Sequence, residues 1–163
     1  MHDTRSLARF LLLGAALVAA LGVLLSAPQR MAHAQSQRQT LCVKSAKANL
    51  RSGPGTNFRV TWEVHKYMPL VKVGQQGEWI KVKDVDGDLH WVSQSVVTAD
   101  EGCVTVKVDK ATIRKAPNPK APSWFIVERY TSFKRVGSDK KDWVKLEHEG
   151  KTLWASTTVI WPG

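Results

Sequence analysis

The chain has 163 residues, of which 24 are Lys or Arg and 14 are Asp or Glu, and its formal net charge is +10. Hydrophobic residues make up 43% and charged residues 23%, a balance that excludes both a disordered chain and a membrane protein with many spans. This length allows one or two small domains and excludes a large multidomain enzyme.

The amino-terminal segment has the pattern of an export signal. Arg5 and Arg9 precede an uncharged apolar run over residues 10–25, and the small residues Ala32 and Ala34 follow it. A basic start, an apolar run and such a small-residue pair are typical of a secretory signal peptide. We therefore predict a cleaved signal peptide that ends at Ala34, and a periplasmic or secreted protein. The alternative is an uncleaved membrane anchor, because the apolar run is close to the lower length limit for a span.

The rest of the chain contains two copies of one sequence repeat. Residues 48–54, which read ANLRSGP, match residues 111–117, ATIRKAP, at an offset of 63. Pairs of tryptophans and glycines keep that offset to within one residue through the remainder, which is the signature of an internal repeat. The predicted organisation is a signal peptide at 1–34, a polar lead at 35–41, copy 1 at 42–102 and copy 2 at 103–163.

Each copy has the pattern of short β-strands. In copy 1, apolar and polar residues alternate over 79–83 and again over 89–93, on either side of an Asp-Gly turn, which is typical of a β-hairpin. Copy 2 repeats this pattern over 143–147 and 152–156, around a turn through Gly150. Because no stretch after the signal segment has a sustained helical period, we predict an all-β fold of small barrels or sandwiches.

Three motifs of copy 1 point to one family. They are the run NLRSGPG at residues 49–55, the Trp-x-Lys-Val strand from Trp79 and the closing Trp-Val pair at Trp91. Together they resemble the bacterial SH3-like domains of exported proteins, and the resemblance covers nearly all of the mature chain twice. Copy 2 departs from the pattern where Ala116 and Asn118 replace the glycines. The resemblance implies two tandem small SH3-like β-barrels, each five-stranded and partly open, which bind wall peptide, carbohydrate or protein rather than catalyse a reaction.

Aromatic residues recur at matching positions of the two copies. Alternation puts Trp79 on the polar face of its strand if Ile80 and Val82 form the core. Such aromatics either cap a thin core or line a groove that takes an extended peptide or stacks a sugar. By resemblance, ligands of SH3-like domains bind in the aromatic groove. The predicted ligand-binding residues are Tyr67, Trp79 and Trp91 in copy 1, and Tyr130, Trp143 and Trp154 in copy 2.

Cys42 and Cys103 are the only cysteines, and the strand pattern places each just ahead of the first strand of its copy. In an exported chain two cysteines most simply form one disulfide, so we predict a bridge between them. A disulfide-linked dimer and free thiols are the alternatives.

The residues after the signal segment contain no pattern that indicates a catalytic or metal-binding site. Three histidines remain, His65, His90 and His148, and none of them recurs in the other copy or pairs with another at a metal-ligand spacing. We therefore predict no catalytic residue, no metal site, no cofactor and no enzyme activity.

Charge is divided unequally between the copies. The mature chain carries +8, of which copy 1 contributes +1 and copy 2 contributes +6. Such a charge excess attracts anionic polymers or lipid headgroups, although a surface that serves only solubility is equally consistent with it. The predicted basic patch of copy 2 consists of Lys134, Arg135, Lys140 and Lys141.

These features together predict a non-catalytic exported binding protein that recognises peptidoglycan or cell-envelope peptides through aromatic grooves. The alternative is a structural or protein–protein adaptor in the periplasm, with an envelope protein as its partner and no wall ligand. Nucleic acid is not expected as a partner of an exported protein.

Overall fold

The structure is a computed structural model, and it describes residues 39–137 and 139–162. The predicted signal peptide lies outside the described residues. Across the described ranges, no helix is both long enough and apolar enough to cross a membrane.

Copy 1 forms one antiparallel sheet of seven strands, in the order β3-β2-β6-β5-β4-β1-β7. A single 3-10 turn, Gln94–Val96, precedes the last strand. The strands are β1 (Thr40–Val43), β2 (Lys47–Arg51), β3 (Val60–His65), β4 (Pro69–Gln76), β5 (Trp79–Lys83), β6 (Leu89–Ser93) and β7 (Val97–Thr98).

Copy 2 builds a second seven-stranded sheet with the equivalent order, β10-β9-β13-β12-β11-β8-β14. The all-β prediction is therefore confirmed, and both predicted hairpins are present. The strands are β8 (Gly102–Val106), β9 (Lys110–Arg114), β10 (Ser123–Glu128), β11 (Ser132–Arg135), β12 (Trp143–His148), β13 (Lys151–Ser156) and β14 (Ile160–Trp161).

Each sheet has two strands more than the five that the resemblance implied, and the additions explain where the cysteines lie. The pairing of β1 with both β4 and β7 extends the first sheet back to Thr40. Cys42 therefore lies within β1 and Cys103 within β8, so the prediction that each cysteine precedes its first strand is wrong. The predicted bridge is present: Cys42 and Cys103 form a disulfide, with their Cα atoms 5.8 Å apart.

Each sheet closes around its own hydrophobic core. Alternation along β5 buries Ile80 and Val82 and leaves Trp79 and Lys81 on the outer face, as predicted. Fully buried aliphatic side chains from neighbouring strands complete each core. They include Leu50, Leu70, Val82 and Val92 in copy 1, and Ile113, Leu146, Leu153 and Ile160 in copy 2.

The loop after the second strand of each copy shows why the glycines are not repeated. The Phe58 ring packs against Gly53 so closely that a Cβ on Gly53 would lie 2.3 Å from a ring carbon. At the matching positions of copy 2 stand Ala116 and Ala121, so the large ring and the glycine that makes room for it are absent together. At Gly53 the glycine of this run is thus required by the packing of the Phe58 ring.

Candidate functional site

Half-exposed aromatic rings lie on the outer face of the β5–β6 hairpin. Trp79 and Trp91 both point away from the core, and Lys81 pairs with Trp91 across the hairpin. The Lys81 Nζ lies 6.0 Å from the Trp91 ring centroid, within the range of a cation–π contact. The structure thus brings together two of the three aromatic residues predicted for copy 1.

A groove of about 360 Å³ runs along this face beside Trp79, and we call it the Trp79 groove. The Arg51 guanidinium donates to the carbonyl oxygens of Thr56 and Phe58 at 3.0 and 2.8 Å, which anchors the neighbouring loop. The groove therefore has one indole wall and several hydrogen-bonding groups. Its lining includes Lys47, Asn49, Arg51, Thr56, Trp79 and Ser93.

Lys47 at the groove is partly neutralised from the edge strand. Its Nζ donates to Glu63 Oε1 at 2.8 Å, and this hydrogen bond holds the pKa of Glu63 below its usual value. Because both side chains are largely solvated, the pair adds little to stability, and Lys47 is able to exchange it for an anionic ligand. The groove accordingly suits a ligand with a ring or apolar segment flanked by carboxylate, amide or hydroxyl groups.

The two predicted tyrosines lie in tight turns rather than in the groove. Tyr67 and Tyr130 have φ angles of 67° and 69°, and their amides donate to the carbonyl oxygens of Val43 and Val106. Among the described residues, Tyr67 does not line the Trp79 groove. Tyr67 stays a predicted ligand-binding residue, although it does not belong to this groove.

Tyr130 instead connects the two copies. Its ring meets Trp62 of copy 1 edge-on, with the centroids 5.1 Å apart, and its hydroxyl donates to Asp86 Oδ2 at 2.9 Å. Arg129 forms an ion pair with the other oxygen of Asp86. A pocket of about 230 Å³ opens at this junction, lined by Thr61, Trp62, Asp84, Asp86, Asp88, His90 and Tyr130.

The sequence patterns did not reveal this junction. A signal was present, however, in the difference between the copies: Asp84 and Asp86 correspond to Glu147 and Glu149, whereas Asp88 corresponds to Lys151. A third carboxylate in the turn of one copy alone is a feature that the shared fold does not require.

The junction gives a testable pH effect. The hydrogen bond to Asp86, together with partial burial, raises the pKa of the Tyr130 hydroxyl above its usual value. The link therefore contributes to stability below the ordinary tyrosine pKa and is lost as the pH rises through the raised value. We expect Asp86→Asn to lower the pKa of Tyr130, measured as the ultraviolet absorbance of tyrosinate. Asp88→Asn, in the same turn, is the control and is expected to leave that titration unchanged.

His90 is a hydrogen-bonded histidine beneath the junction pocket. Its Nε2 donates to the buried carboxylate of Asp84, and Thr61 Oγ1 lies 2.8 Å from its Nδ1. Asp84 also accepts from the backbone amides of Asp86 and Asp88, which fixes the turn. Within the described part of the chain, no group of three or more His, Cys, Asp or Glu residues has the arrangement of a metal site.

The aromatic face of copy 2 is less open than that of copy 1. Trp154, the counterpart of Trp91, is only 8% exposed and pairs with Lys145 and Arg114 on its two neighbouring strands. Trp143, the counterpart of Trp79, is half-exposed like Trp79 itself. Both tryptophans of copy 2 remain predicted ligand-binding residues, but Trp154 offers less aromatic surface to a ligand than Trp91 does.

The predicted basic patch is divided by ion pairs. Lys134 reaches Glu147 at 4.0 Å, and Arg135 pairs with Asp139. Lys140 and Lys141 are exposed on the loop that follows. Half of the patch is therefore neutralised locally, and its role in binding an anionic partner stays a prediction.

The seven-stranded sheet around its own core defines copy 1 as a small β-barrel domain. Residues 44–98 match the family model described as "Bacterial SH3 domain". Copy 1 therefore contains a bacterial SH3 domain, and the resemblance found in its motifs is confirmed.

One curated relative is described as a putative amidase. Over 132 residues the chain is 22% identical to "Putative N-acetylmuramoyl-L-alanine amidase YrvJ" of Bacillus subtilis (strain 168). The alignment covers 74% of this chain and 25% of that protein, so the chain spans about a quarter of its relative's length.

Two solved structures show a weaker likeness. NlpC1 from Trichomonas vaginalis is 10% identical, with a TM-score of 0.33 over 77% of this chain and 46% of that chain. An NLPC/P60 family protein from Bacillus cereus ATCC 10987 is 13% identical, with a TM-score of 0.35 over 74% of this chain and 55% of that chain. Likenesses at this level carry no argument about function.

Proposed function

We propose that the protein is a non-catalytic, exported binding protein that recognises peptidoglycan or cell-envelope peptides through the Trp79 groove. The observation that carries the proposal is the position of this groove in a bacterial SH3 domain, with a half-exposed indole beside Lys47 and Arg51. Wall polymers combine sugar rings with peptide amides and carboxylates, which are the groups that such a lining recognises. The name of the curated relative, an amidase of muramoyl peptides, supports a wall ligand.

The chemistry of the described residues supports a binding role rather than catalysis. Cys42 and Cys103 are joined to each other, so neither offers a thiolate nucleophile. His90 is held by Asp84 and Thr61, and no cysteine or serine lies among its hydrogen-bond partners in the described ranges. The disulfide also supports an exported location, because such bridges persist in oxidising compartments.

The proposal is tested by sedimentation of the mature protein with purified peptidoglycan sacculi. We expect the protein to be retained, and we expect Trp79→Ala to weaken retention about tenfold, because the indole supplies most of the apolar contact in the groove. Leu89→Ala is the matched control, since this exposed apolar residue lies on the same hairpin outside the groove lining.

Two results would contradict the proposal. One is the absence of retention at low salt, and the other is equal retention of the wild-type protein and Trp79→Ala. Retention that disappears equally in both proteins on adding salt would assign binding to the basic surface instead.

A further inference from the structure

Copy 2 carries an exposed aromatic ring with two ammonium groups close to it, and none of these residues lines the Trp79 groove. Trp124 lies in β10, the edge strand of the second sheet, and is 38% exposed. The Nζ atoms of Lys115 and Lys151 lie 4.9 and 4.8 Å from its ring centroid. We call these three residues the Trp124 cluster.

The repeat supplies an internal comparison for this cluster. At the repeat offset of 63, Thr61 stands where copy 2 has Trp124, and Asp88 stands where it has Lys151. Thr61 and Asp88 both line the junction pocket of copy 1, which is acidic. Asp84 and Asp86 correspond to Glu147 and Glu149, so both copies keep two carboxylates in this turn. The copies differ in that Lys151 and Trp124 replace Asp88 and Thr61, and the shared fold requires neither set.

The two lysines are not neutralised by the protein. Over residues 39–137 and 139–162, the ion pairs of copy 2 engage Arg129, Lys134 and Arg135, and none engages Lys115 or Lys151. Two ammonium groups close to one ring repel each other, and an anion placed between them removes that repulsion. The cluster thus combines two ammonium groups that would attract an anion with an apolar indole surface.

The backbone at Trp124 favours a ring-shaped ligand over an added peptide strand. The pairing of β10 with β9 shifts register between Ser123 and Phe125, so Trp124 is the residue of a β-bulge. A bulge disrupts the regular ladder that strand addition needs. Ile126, which is 67% exposed two residues further along the same face, extends the apolar surface beside the indole.

We infer that the Trp124 cluster binds a sugar ring that carries a free carboxylate, and the wall sugar of this class is N-acetylmuramic acid from which the peptide has been removed. The indole and Ile126 contact the apolar face of the ring, and Lys115 and Lys151 bind the carboxylate. This site deepens the proposed wall binding and rests on it for the choice of sugar, but it uses none of the residues of the Trp79 groove.

The test is an NMR titration of the full mature protein, labelled with ¹⁵N, with two sugars. N-acetylmuramic acid carries the carboxylate, and N-acetylglucosamine is the matched sugar without it. We expect the indole N–H signal of Trp124 to shift with N-acetylmuramic acid, and the affinity for N-acetylglucosamine to be about tenfold lower, as for the loss of one charge-assisted contact. Added salt is expected to weaken the first titration and not the second.

Variants in which residues of copy 2 are replaced by their counterparts in copy 1 test the role of each side chain. Lys151→Asp is expected to remove the preference for the carboxylate, and Trp124→Thr to remove binding of both sugars, followed through the amides around β10. Lys120→Asp, an exposed lysine in the loop before β10, is the charge control and is expected to keep the preference. The other backbone signals report whether each variant remains folded.

Equal affinity for the two sugars, or a preference that survives Lys151→Asp, would overturn the inference. So would tighter binding of poly-glutamate than of N-acetylmuramic acid at the same signals, which would indicate a peptide ligand. Trp79→Ala is expected to leave both sugar titrations unchanged. Failure of the Trp124 cluster is thereby distinguished from failure of the Trp79 groove, which the sacculus experiment measures.

Discussion

Replacement of both Cys42 and Cys103 by serine is expected to lower the free energy of unfolding by about 4 kcal/mol. The bridge closes a loop across a sequence separation of 61 residues, which spans the whole of copy 1. In the chain-entropy account, a cross-link of that span removes many conformations from the unfolded chain and thereby favours the folded state. The measurement is urea unfolding of the double variant and of the wild-type protein, followed by tryptophan fluorescence.

Reduction of the wild-type protein is the control for this variant. Reduced wild-type protein and the double variant are expected to unfold at the same urea concentration, because both lack the same cross-link. A loss of stability below about 1 kcal/mol would contradict the expectation, since it would show that the bridge constrains the unfolded chain very little.

Contacts between the copies that do not depend on the disulfide are expected to keep the double variant folded. Ser132 Oγ lies 3.5 Å from Met68 Sδ, and Asp86 accepts from Tyr130 and pairs with Arg129, so several contacts besides the bridge connect the copies. We therefore expect the double variant to keep both barrels folded at neutral pH without denaturant. The change is in stability rather than in architecture.

The elements with a strong local pattern were predictable from the sequence. The β5–β6 hairpin was found with both strands in place, because strict alternation and an Asp-Gly turn determine it locally. The strands β7 and β14 have two residues each, which is too short for any period to be visible. They exist because β1 and β8 offer them an edge to pair with, and that is a tertiary effect.

The candidate sites were predictable only in part, for a similar reason. Alternation correctly placed Trp79 on the outer face, but it gave Trp154 the same status as Trp91, and Trp154 is buried. Tyr130 was assigned to a groove of copy 2, whereas its hydroxyl bonds to Asp86, 44 residues earlier in the chain. Contacts between two repeats depend on how the barrels pack together, and no periodicity within one repeat contains that information.

The internal repeat nevertheless carried more functional information than either copy alone. Positions that agree between the copies, such as Leu50 and Ile113, form the cores, because a shared fold needs the same buried side chains. Positions that differ in charge, such as Asp88 and Lys151, lie on the surface. Comparison of the two copies therefore separates the residues that the shared fold requires from those that distinguish the two surfaces.

Leu50→Ala is expected to lower the free energy of unfolding by about 3 kcal/mol, because a fully buried leucine in a packed core leaves a cavity when it is truncated. Ile113→Ala removes the equivalent fully buried side chain of copy 2 and is expected to cost a similar amount. Leu89→Ala is the control, since a side chain that is 54% exposed loses little, within about 0.5 kcal/mol. The measurement is thermal unfolding followed by circular dichroism.

The pair of core variants also tests whether the copies unfold together. The disulfide, the Tyr130–Asp86 bond and the Trp62–Tyr130 contact join the two barrels, and each barrel is small enough to be marginal alone. We therefore expect one cooperative transition that both variants shift by the same amount. Two transitions, of which Leu50→Ala moves one and Ile113→Ala the other, would show instead that these contacts link the copies without coupling their stability.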